Sequence, residues 1–141
     1  MDKKTVQRYS KSTVPQLLKI AQKHFNTYIR LRDQKDGYFI CISCMQPKGL
    51  DQLQAGHYLS GGHNAKTRFD EDNVNGQCVR CNMYLSGNQV GYRIGLVNKI
   101  GLDKVMAIET KMRTTNKWDR YTLIDLIETY KAKCKEFKKA A

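Results

Sequence analysis

The stretch that decides the fold is GQCVRCN, residues 76–82, which places Cys78 and Cys81 three positions apart. The same spacing occurs in CISC, residues 41–44, and 33 residues separate the two pairs. Thiolates at this spacing lie on one side of a tight turn, and two such pairs complete a tetrahedral zinc site. The alternative of a redox centre is poor, because redox pairs lie at a helix start within a βαβ pattern that is absent here. The sequence therefore predicts a structural zinc ion bound by Cys41, Cys44, Cys78 and Cys81.

This zinc ion is expected to stabilise the fold and not to catalyse a reaction, because four thiolates leave no open position on the metal. Residues 41–88 are rich in Gly, Asn and Cys and show little apolar periodicity. A segment of this kind needs a metal or another cross-link in order to fold. The fifth cysteine, Cys134, lies in a helical pattern, and we expect it to be a small core residue.

The chain is strongly basic, with 25 Lys and Arg residues against 13 Asp and Glu residues and a net charge of +12 over 141 residues. A charge of this size favours a polyanionic partner, most often nucleic acid, and general solubility is the alternative. No stretch approaches the roughly 18 apolar residues of a membrane span. The N-terminal stretch, residues 1–13, lacks the apolar core of a secretory signal. The sequence predicts a cytoplasmic protein with no membrane contact, whose cysteines are reduced and available to a metal.

Apolar spacing predicts helices at both ends of the chain. A helix is expected over residues 13–35, where Thr13 can cap the first turn and apolar residues recur at helical spacing. The run YFICIS, residues 38–43, is typical of a short strand. Four further helices are predicted, with breaks at Gly87, Gly101 and the run TTNKW: residues 79–86, 90–100, 102–113 and 120–139.

The chain divides by composition into three segments. Residues 1–37 form a basic N-terminal helical segment, residues 38–90 a zinc-bound core, and residues 91–141 a C-terminal helical region with a basic tail. The tail contains KAKCKEFKK, residues 131–139, with five lysines in nine residues. Such a run is either a solvated end or a surface that contacts phosphates, and the sequence favours neither.

Five short motifs follow one another in the order CISC, AGHY, RFDEDN, QCVRCN and LSGN. In this order they resemble the NinG (Rap) family of lambdoid phage recombination proteins, densely over residues 38–93 and loosely over the flanking helices. The centre also looks like the ββα-metal (HNH) nuclease core with a four-cysteine zinc site. The resemblance implies an α-rich α+β fold with an N-terminal helix and two or three C-terminal helices around that core. It also implies a phage- or prophage-encoded endonuclease, active in the bacterial host, that cuts Holliday junctions and D-loops.

The resemblance assigns roles to polar residues in and beside the loop that the zinc ion would close. His57, in AGHY, corresponds to the general base on the first strand of the ββα unit. Asn73 corresponds to the residue that braces the loop and orients this histidine. Asn82 corresponds to the helix residue that binds a catalytic divalent metal, and Ser86 lies where some relatives carry a second metal ligand.

The sequence departs from the broader nuclease pattern at the residue before the general base. Most relatives carry Asp or His there as a metal ligand, whereas this chain has Gly56. A substitute ligand must come from elsewhere, and His63, Asp70 and Asp72 are the candidates. We favour His63, because the preceding glycines allow its loop to fold back toward the site.

These residue types fit the hydrolysis of a phosphodiester. A neutral imidazole with a pKa of about 6.5 can accept a proton from water at physiological pH. One Mg²⁺ or Mn²⁺ ion on oxygen ligands would stabilise the phosphate charge and the leaving oxygen. Contacts to the DNA backbone, which position DNA without reading its sequence, are predicted for Lys66, Arg68, Arg80 and Arg93.

Two alternatives to a branch-specific nuclease stay open. The first is a zinc-bound DNA- or RNA-binding module without catalysis, which the glycine at position 56 favours. The second is a sequence-specific endonuclease with the same core. For the branch-specific nuclease we expect a homodimer, because two opposed strands of a junction need two active sites, and phage recombination proteins are expected partners.

Overall fold

Helices occupy both ends of the chain and short strands occupy its centre. The computed structural model describes residues 1–60 and 62–140, apart from the side chain of His63. Within these residues the prediction of a helix-rich α+β fold is confirmed. The helices are α1 (Lys3–Arg8), α2 (Val14–Asp33), α3 (Gln89–Ile100), α4 (Leu102–Glu109) and α5 (Arg120–Ala140), and the strands are β1 (Tyr38–Ile40), β2 (Pro47–Gly49), β3 (Gln54–His57) and β4 (Val74–Gln77).

The N-terminal helix predicted at residues 13–35 is confirmed as α2. Its start is fixed by a capping box, in which the Thr13 hydroxyl accepts a bond from Gln16 N and the Gln16 side chain accepts one from Thr13 N. A second N-terminal helix, α1, was not predicted. It is only six residues long and has no buried residue, so it has no apolar stripe that the sequence could reveal.

The strands form two antiparallel pairs, β1 with β2 and β3 with β4. The strand predicted at residues 38–43 is shorter than expected and ends at Ile40. Beyond it Cys41 N donates to the carbonyl of Gln46, and Met45 N donates to the carbonyl of Cys41 and closes the first cysteine turn. In the second pair His57 lies opposite Val74, which places the histidine at the end of β3.

The helix predicted at residues 79–86 is a single π-helical turn, Arg80–Tyr84, in which Leu85 N donates to the carbonyl of Arg80. Beyond it the backbone is left-handed at Ser86, with φ +50°, and at Gly87, with φ +92°. The helix predicted at residues 102–113 is also shorter than expected, since α4 ends at Glu109. The hydroxyl of the next residue, Thr110, donates to the carbonyl of Ala107 in the last turn. Helix α3 and helix α5 follow the predicted ranges closely.

The core runs from the helices into the centre of the chain. Helices α2 and α5 pack along their apolar faces, and β4 adds Val74 to the cluster around Phe25 and Ile29. On the other side, α3 and α4 pack around Tyr58 and Tyr92. Among the described helices none is both long and apolar enough to cross a bilayer.

Candidate functional site

The four paired cysteines lie together at the base of the β3–β4 hairpin. Their Sγ atoms all lie within 4.8 Å of one another, and Cys44 Sγ is 4.0 Å from Cys78 Sγ. Sulfur–zinc bonds of about 2.3 Å in a tetrahedron place sulfurs roughly 3.8 Å apart, so the cluster needs only a small contraction to bind the ion. The cluster can therefore hold a metal such as zinc.

The thiols differ in how readily they lose a proton. Burial raises the pKa of Cys81 to about 12. Burial also raises the pKa of Cys41, but hydrogen bonds from the backbone of Cys44, Cys78 and Ser43 outweigh it and lower the pKa overall. Because a bound metal needs thiolates, its binding must displace protons from this cluster.

The first cysteine turn is pressed against α3. A Cβ atom on Gly95 would overlap the carbonyl oxygen of Ile42, and one on Gly91 would overlap that of Ser43. Two glycines four positions apart on one helix face allow this approach of helix to backbone. Helix α3 therefore holds the cysteine turn directly, with no side chain between them.

His57 lies half-buried at the end of β3, and its Nε2 atom is 3.2 Å from the carbonyl oxygen of Arg68. A bond donated by Nε2 leaves the lone pair of Nδ1 open, which is the arrangement a base requires. Burial lowers the pKa of His57, the Arg68 carbonyl partly raises it, and the positive charge of Arg68 lowers it. The imidazole is therefore neutral at physiological pH.

Asn73 is fully buried and ties together both ends of the loop that follows β3. Its Oδ1 accepts from Leu59 N at 2.9 Å, and its Nδ2 donates to the carbonyls of Leu59 and Thr67, each at 3.0 Å. Its own carbonyl accepts from Tyr58 N at 2.8 Å. These bonds fix the segment that carries the Arg68 carbonyl, which is what a bracing residue has to do.

The residue before His57 is packed in a way that the sequence did not predict. The Gln77 side chain fills the space that a Cβ on Gly56 would need. Its Nε2 donates to Ser43 Oγ at 2.8 Å and to the Gly87 carbonyl, and its buried Oε1 has no hydrogen-bond partner among the described residues. Tyr92, also missed, donates its hydroxyl to the Gly56 carbonyl at 2.6 Å. Gly56 was the sequence signal for this packing, because a residue without a side chain leaves room for a larger neighbour.

Among the described side chains, the predicted ligands of a catalytic metal are not gathered around His57. Asn82 Nδ2 donates to Gln54 Oε1 at 2.8 Å, and Gln54 begins β3, roughly 10 Å along the strand from His57. Asp70 bonds to Asp72 N through one oxygen, and its other oxygen lies 3.9 Å from the Lys111 ammonium. Among the His, Cys, Asp and Glu side chains that the structure describes, which exclude that of His63, the cysteines form the only cluster of three or more.

Ser86 and His63 are the two other predicted ligands of a catalytic metal. Ser86 follows the end of the π-helical turn and has left-handed backbone. Ser86 therefore does not continue the helical turn that carries Asn82. The favoured ligand His63 lies in a 3₁₀ turn, Gly62–Thr67, but its side chain is outside the described residues.

The four predicted DNA-contacting residues fall into two groups. Lys66 and Arg80 are exposed. Arg68 is held within the protein, where its Nε donates to Gln22 Oε1 at 2.7 Å, and Arg93 forms two bonds of 2.8 and 3.1 Å to the carboxylate of Glu109. Half of the predicted set therefore already has partners in the chain.

Comparison with known proteins shows the family to which the chain belongs. The family model described as "Bacteriophage Lambda NinG protein" matches residues 2–140. The chain belongs to the NinG family. The resemblance of the motifs to the NinG family is confirmed, and the match extends over the flanking helices as well as the centre.

The chain is similar to proteins named Protein ninG from three phages. It is 43% identical to that of Escherichia phage 933W over 93 residues, which are 66% of this chain and 44% of that protein. It is 36% identical to that of Salmonella phage P22 over 121 residues, 86% of this chain and 57% of that protein. For Escherichia phage lambda the identity is 41% over 93 residues. The chain thus spans about half the length of these relatives, and no solved structure matches it.

Proposed function

We propose that this NinG-family chain is a metal-dependent DNA endonuclease that cuts branched DNA, such as Holliday junctions and D-loops, in phage recombination. The observation that carries the proposal is the hydrogen bond between His57 Nε2 and the Arg68 carbonyl. It presents a neutral imidazole as a base within a loop that Asn73 holds. The net charge of +12 supports a nucleic-acid substrate.

In the proposed reaction His57 Nδ1 accepts a proton from a water molecule as its oxygen forms a bond to a DNA phosphorus. The bond between phosphorus and the 3′ oxygen breaks, and that oxygen takes a proton from solvent. The products carry a 5′-phosphate and a 3′-hydroxyl. The Arg68 carbonyl stabilises the imidazolium formed in this step, because Nε2 remains its hydrogen-bond donor.

We assign the hairpin, the π-helical turn and the cysteine cluster to a zinc-bound HNH-like core. A catalytic Mg²⁺ or Mn²⁺ ion would neutralise charge on the phosphate and on the leaving oxygen. Asn82 and His63 are its proposed ligands, but Gly56 supplies none, and Gln77 occupies the space of a side chain there. The described side chains thus fit a zinc ion well and a second, oxygen-bound ion poorly, so no step is assigned to that ion.

A homodimer acting with phage recombination proteins in the host cytoplasm is part of the same proposal. Opposed strands of a four-way junction present two phosphodiesters, and one chain supplies one His57. Lys66 and Arg80, the two predicted DNA-contacting residues that are exposed, would contact phosphates near the cut.

The test compares cutting of a labelled four-way junction with cutting of a linear duplex of matched sequence, in Mg²⁺ or Mn²⁺. His57→Ala should abolish cutting while zinc content and junction binding survive. His24→Ala is the matched control, since His24 is also half-buried but lies on α2. Cutting by His57→Ala at the parental rate would overturn the proposed base, and equal cutting of both substrates would remove the preference for branches.

A second candidate is a DNA-binding module without catalysis, and the packing of Gln77 against Gly56 favours it. In that case neither metal produces nicks in junction or duplex between pH 6.5 and 9, a window above the ordinary histidine pKa of about 6.5. Binding would then be the same in the parental protein and in His57→Ala.

A further inference from the structure

We infer that the exposed face of α2 is a surface that holds the phosphate backbone of a duplex arm beside His57, an inference that rests on the proposed function. Lys19, Lys23, Asn26 and Arg30 are spaced i, i+4, i+7 and i+11 on α2. Residues at this spacing form one stripe along a helix, which we call the α2 cationic stripe. The stripe lies on the side of α2 away from its buried residues.

The cations of this stripe are available to a ligand. Lys19 and Lys23 are exposed, and Arg30 is half-buried, with its guanidinium donating to Thr27 Oγ1 at 3.2 Å. Among the residues that the structure describes, none of the three forms an ion pair. The only acidic residue of α2 is Asp33, at its C-terminal end, and Arg32 engages it. The stripe is therefore complementary to a polyanion.

A chain of side chains links the stripe to the candidate base. Asn26 Oδ1 accepts from Gln22 Nε2 at 2.8 Å, and Gln22 Oε1 accepts from Arg68 Nε at 2.7 Å. The carbonyl of the same arginine bonds to His57. A duplex lying on the stripe would therefore pass next to the end of β3.

The stripe has the length and the neighbours that a duplex requires. From Lys19 to Arg30 the helix rises about 16 Å, which matches roughly five nucleotides of one strand at about 3.4 Å each. On α5, Cys134 Sγ lies 3.7 Å from the carbonyl of His24. Because α5 packs along α2, this contact places the part of α5 that carries the C-terminal lysine run against α2.

The test measures the salt dependence of junction and duplex binding in the His57→Ala background, which prevents cutting. The stripe variant is Lys19→Gln with Lys23→Gln and Arg30→Gln. The matched control, with the same loss of charge at three positions outside α2, is Lys48→Gln with Lys104→Gln and Lys117→Gln. Each neutralised phosphate contributes about 0.9 to the slope of log affinity against log salt. We expect the stripe variant to lose up to about 2.7 of slope and the control to keep the parental value.

The outcomes separate this inference from the proposed function. Equal slopes in the stripe variant and the control, with zinc content and helix content unchanged, would overturn the inference alone. If the parental protein binds no DNA, the proposed function fails as well. A stripe variant that binds DNA at the parental slope but loses a bound acidic peptide would assign the stripe to a protein partner and also overturn the inference.

Discussion

Between α2 and α5 the buried side chains are apolar or aromatic, with Phe25 against Tyr130 and Phe69 at ring-centre distances of 4.8 and 5.5 Å. Between the first cysteine turn and β4 the buried set is different. All the buried polar residues of the described chain lie there: Ser43, Thr67, Asn73, Asn75 and Gln77. The helix pair is stabilised by the burial of apolar surface. The centre is stabilised by hydrogen bonds and by a cysteine cluster that needs a metal.

This difference explains why the candidate site lies in the centre. Apolar packing tolerates exchange of one side chain for another of similar size, and it offers no group that can move a proton. A network of buried amides fixes positions and depends on each member. The two regions should therefore differ in how they respond to metal removal and to the substitution of a buried side chain.

Removal of the metal should separate the two regions most clearly. Structural zinc contributes on the order of 10 kcal/mol to folding in small zinc-binding domains. We expect a chelator to abolish hydrogen-exchange protection in β3 and β4 while the helical circular dichroism of α2 and α5 largely persists. The metal content should be about one zinc per chain. Cys134→Ala is the control and should keep that zinc, and protection in β3 that survives complete metal loss would contradict the assignment.

The next largest effect should come from the helix pair. Phe25→Ala removes a fully buried ring that contacts two other aromatic rings, and we expect a loss of about 4 kcal/mol in the free energy of unfolding. Denaturant unfolding measures this change, and zinc content should stay unchanged. Tyr121→Ala, an aromatic residue that is 61% exposed on α5, should change stability by less than about 0.5 kcal/mol. A Phe25 variant that loses its zinc would show that the regions are not separable.

A smaller effect is expected when one amide of the centre is removed. Asn73→Ala leaves Leu59 N and the carbonyls of Leu59 and Thr67 without partners, which should cost about 3 kcal/mol. Asn98→Ala, at an exposed position of α3, is the control. Hydrogen exchange of the Leu59 amide should accelerate in the first variant and not in the second. Unchanged exchange would mean that the loop does not depend on this brace.

The sequence predicted the helix pair better than the centre, for a physical reason. The helical periodicity that indicated α2 and α5 is the same periodicity that buries their faces, so one pattern carries both secondary structure and packing. The cysteine spacing predicted a cluster that the structure brings together. In contrast, Gln77 and Tyr92 are important through contacts with residues distant in sequence, and no local pattern records such contacts.

The DNA-contacting residues illustrate the same limit. A basic residue near a candidate site looks the same in sequence whether its charge is free, as on α2, or already bound, as at Arg93 with Glu109. The end of the helix predicted at residues 79–86 was also misjudged, since the left-handed backbone begins at Ser86, a residue type that is uncommon there. Which charges face solvent depends on tertiary packing, which the local sequence does not record.

The smallest effect concerns the protonation of His57. Burial lowers the pKa of His57 in the folded protein, so below the ordinary pKa of about 6.5 the unfolded chain binds a proton that the folded chain does not. Stability from this group is therefore complete above about pH 6.5 and declines as the pH falls toward the folded pKa. An NMR titration of the imidazole should give a midpoint below that of a model histidine, and substituting Asn73 should move it upward as water enters the loop. A midpoint at or above the ordinary value in the parental protein would mean that burial does not control the protonation of His57.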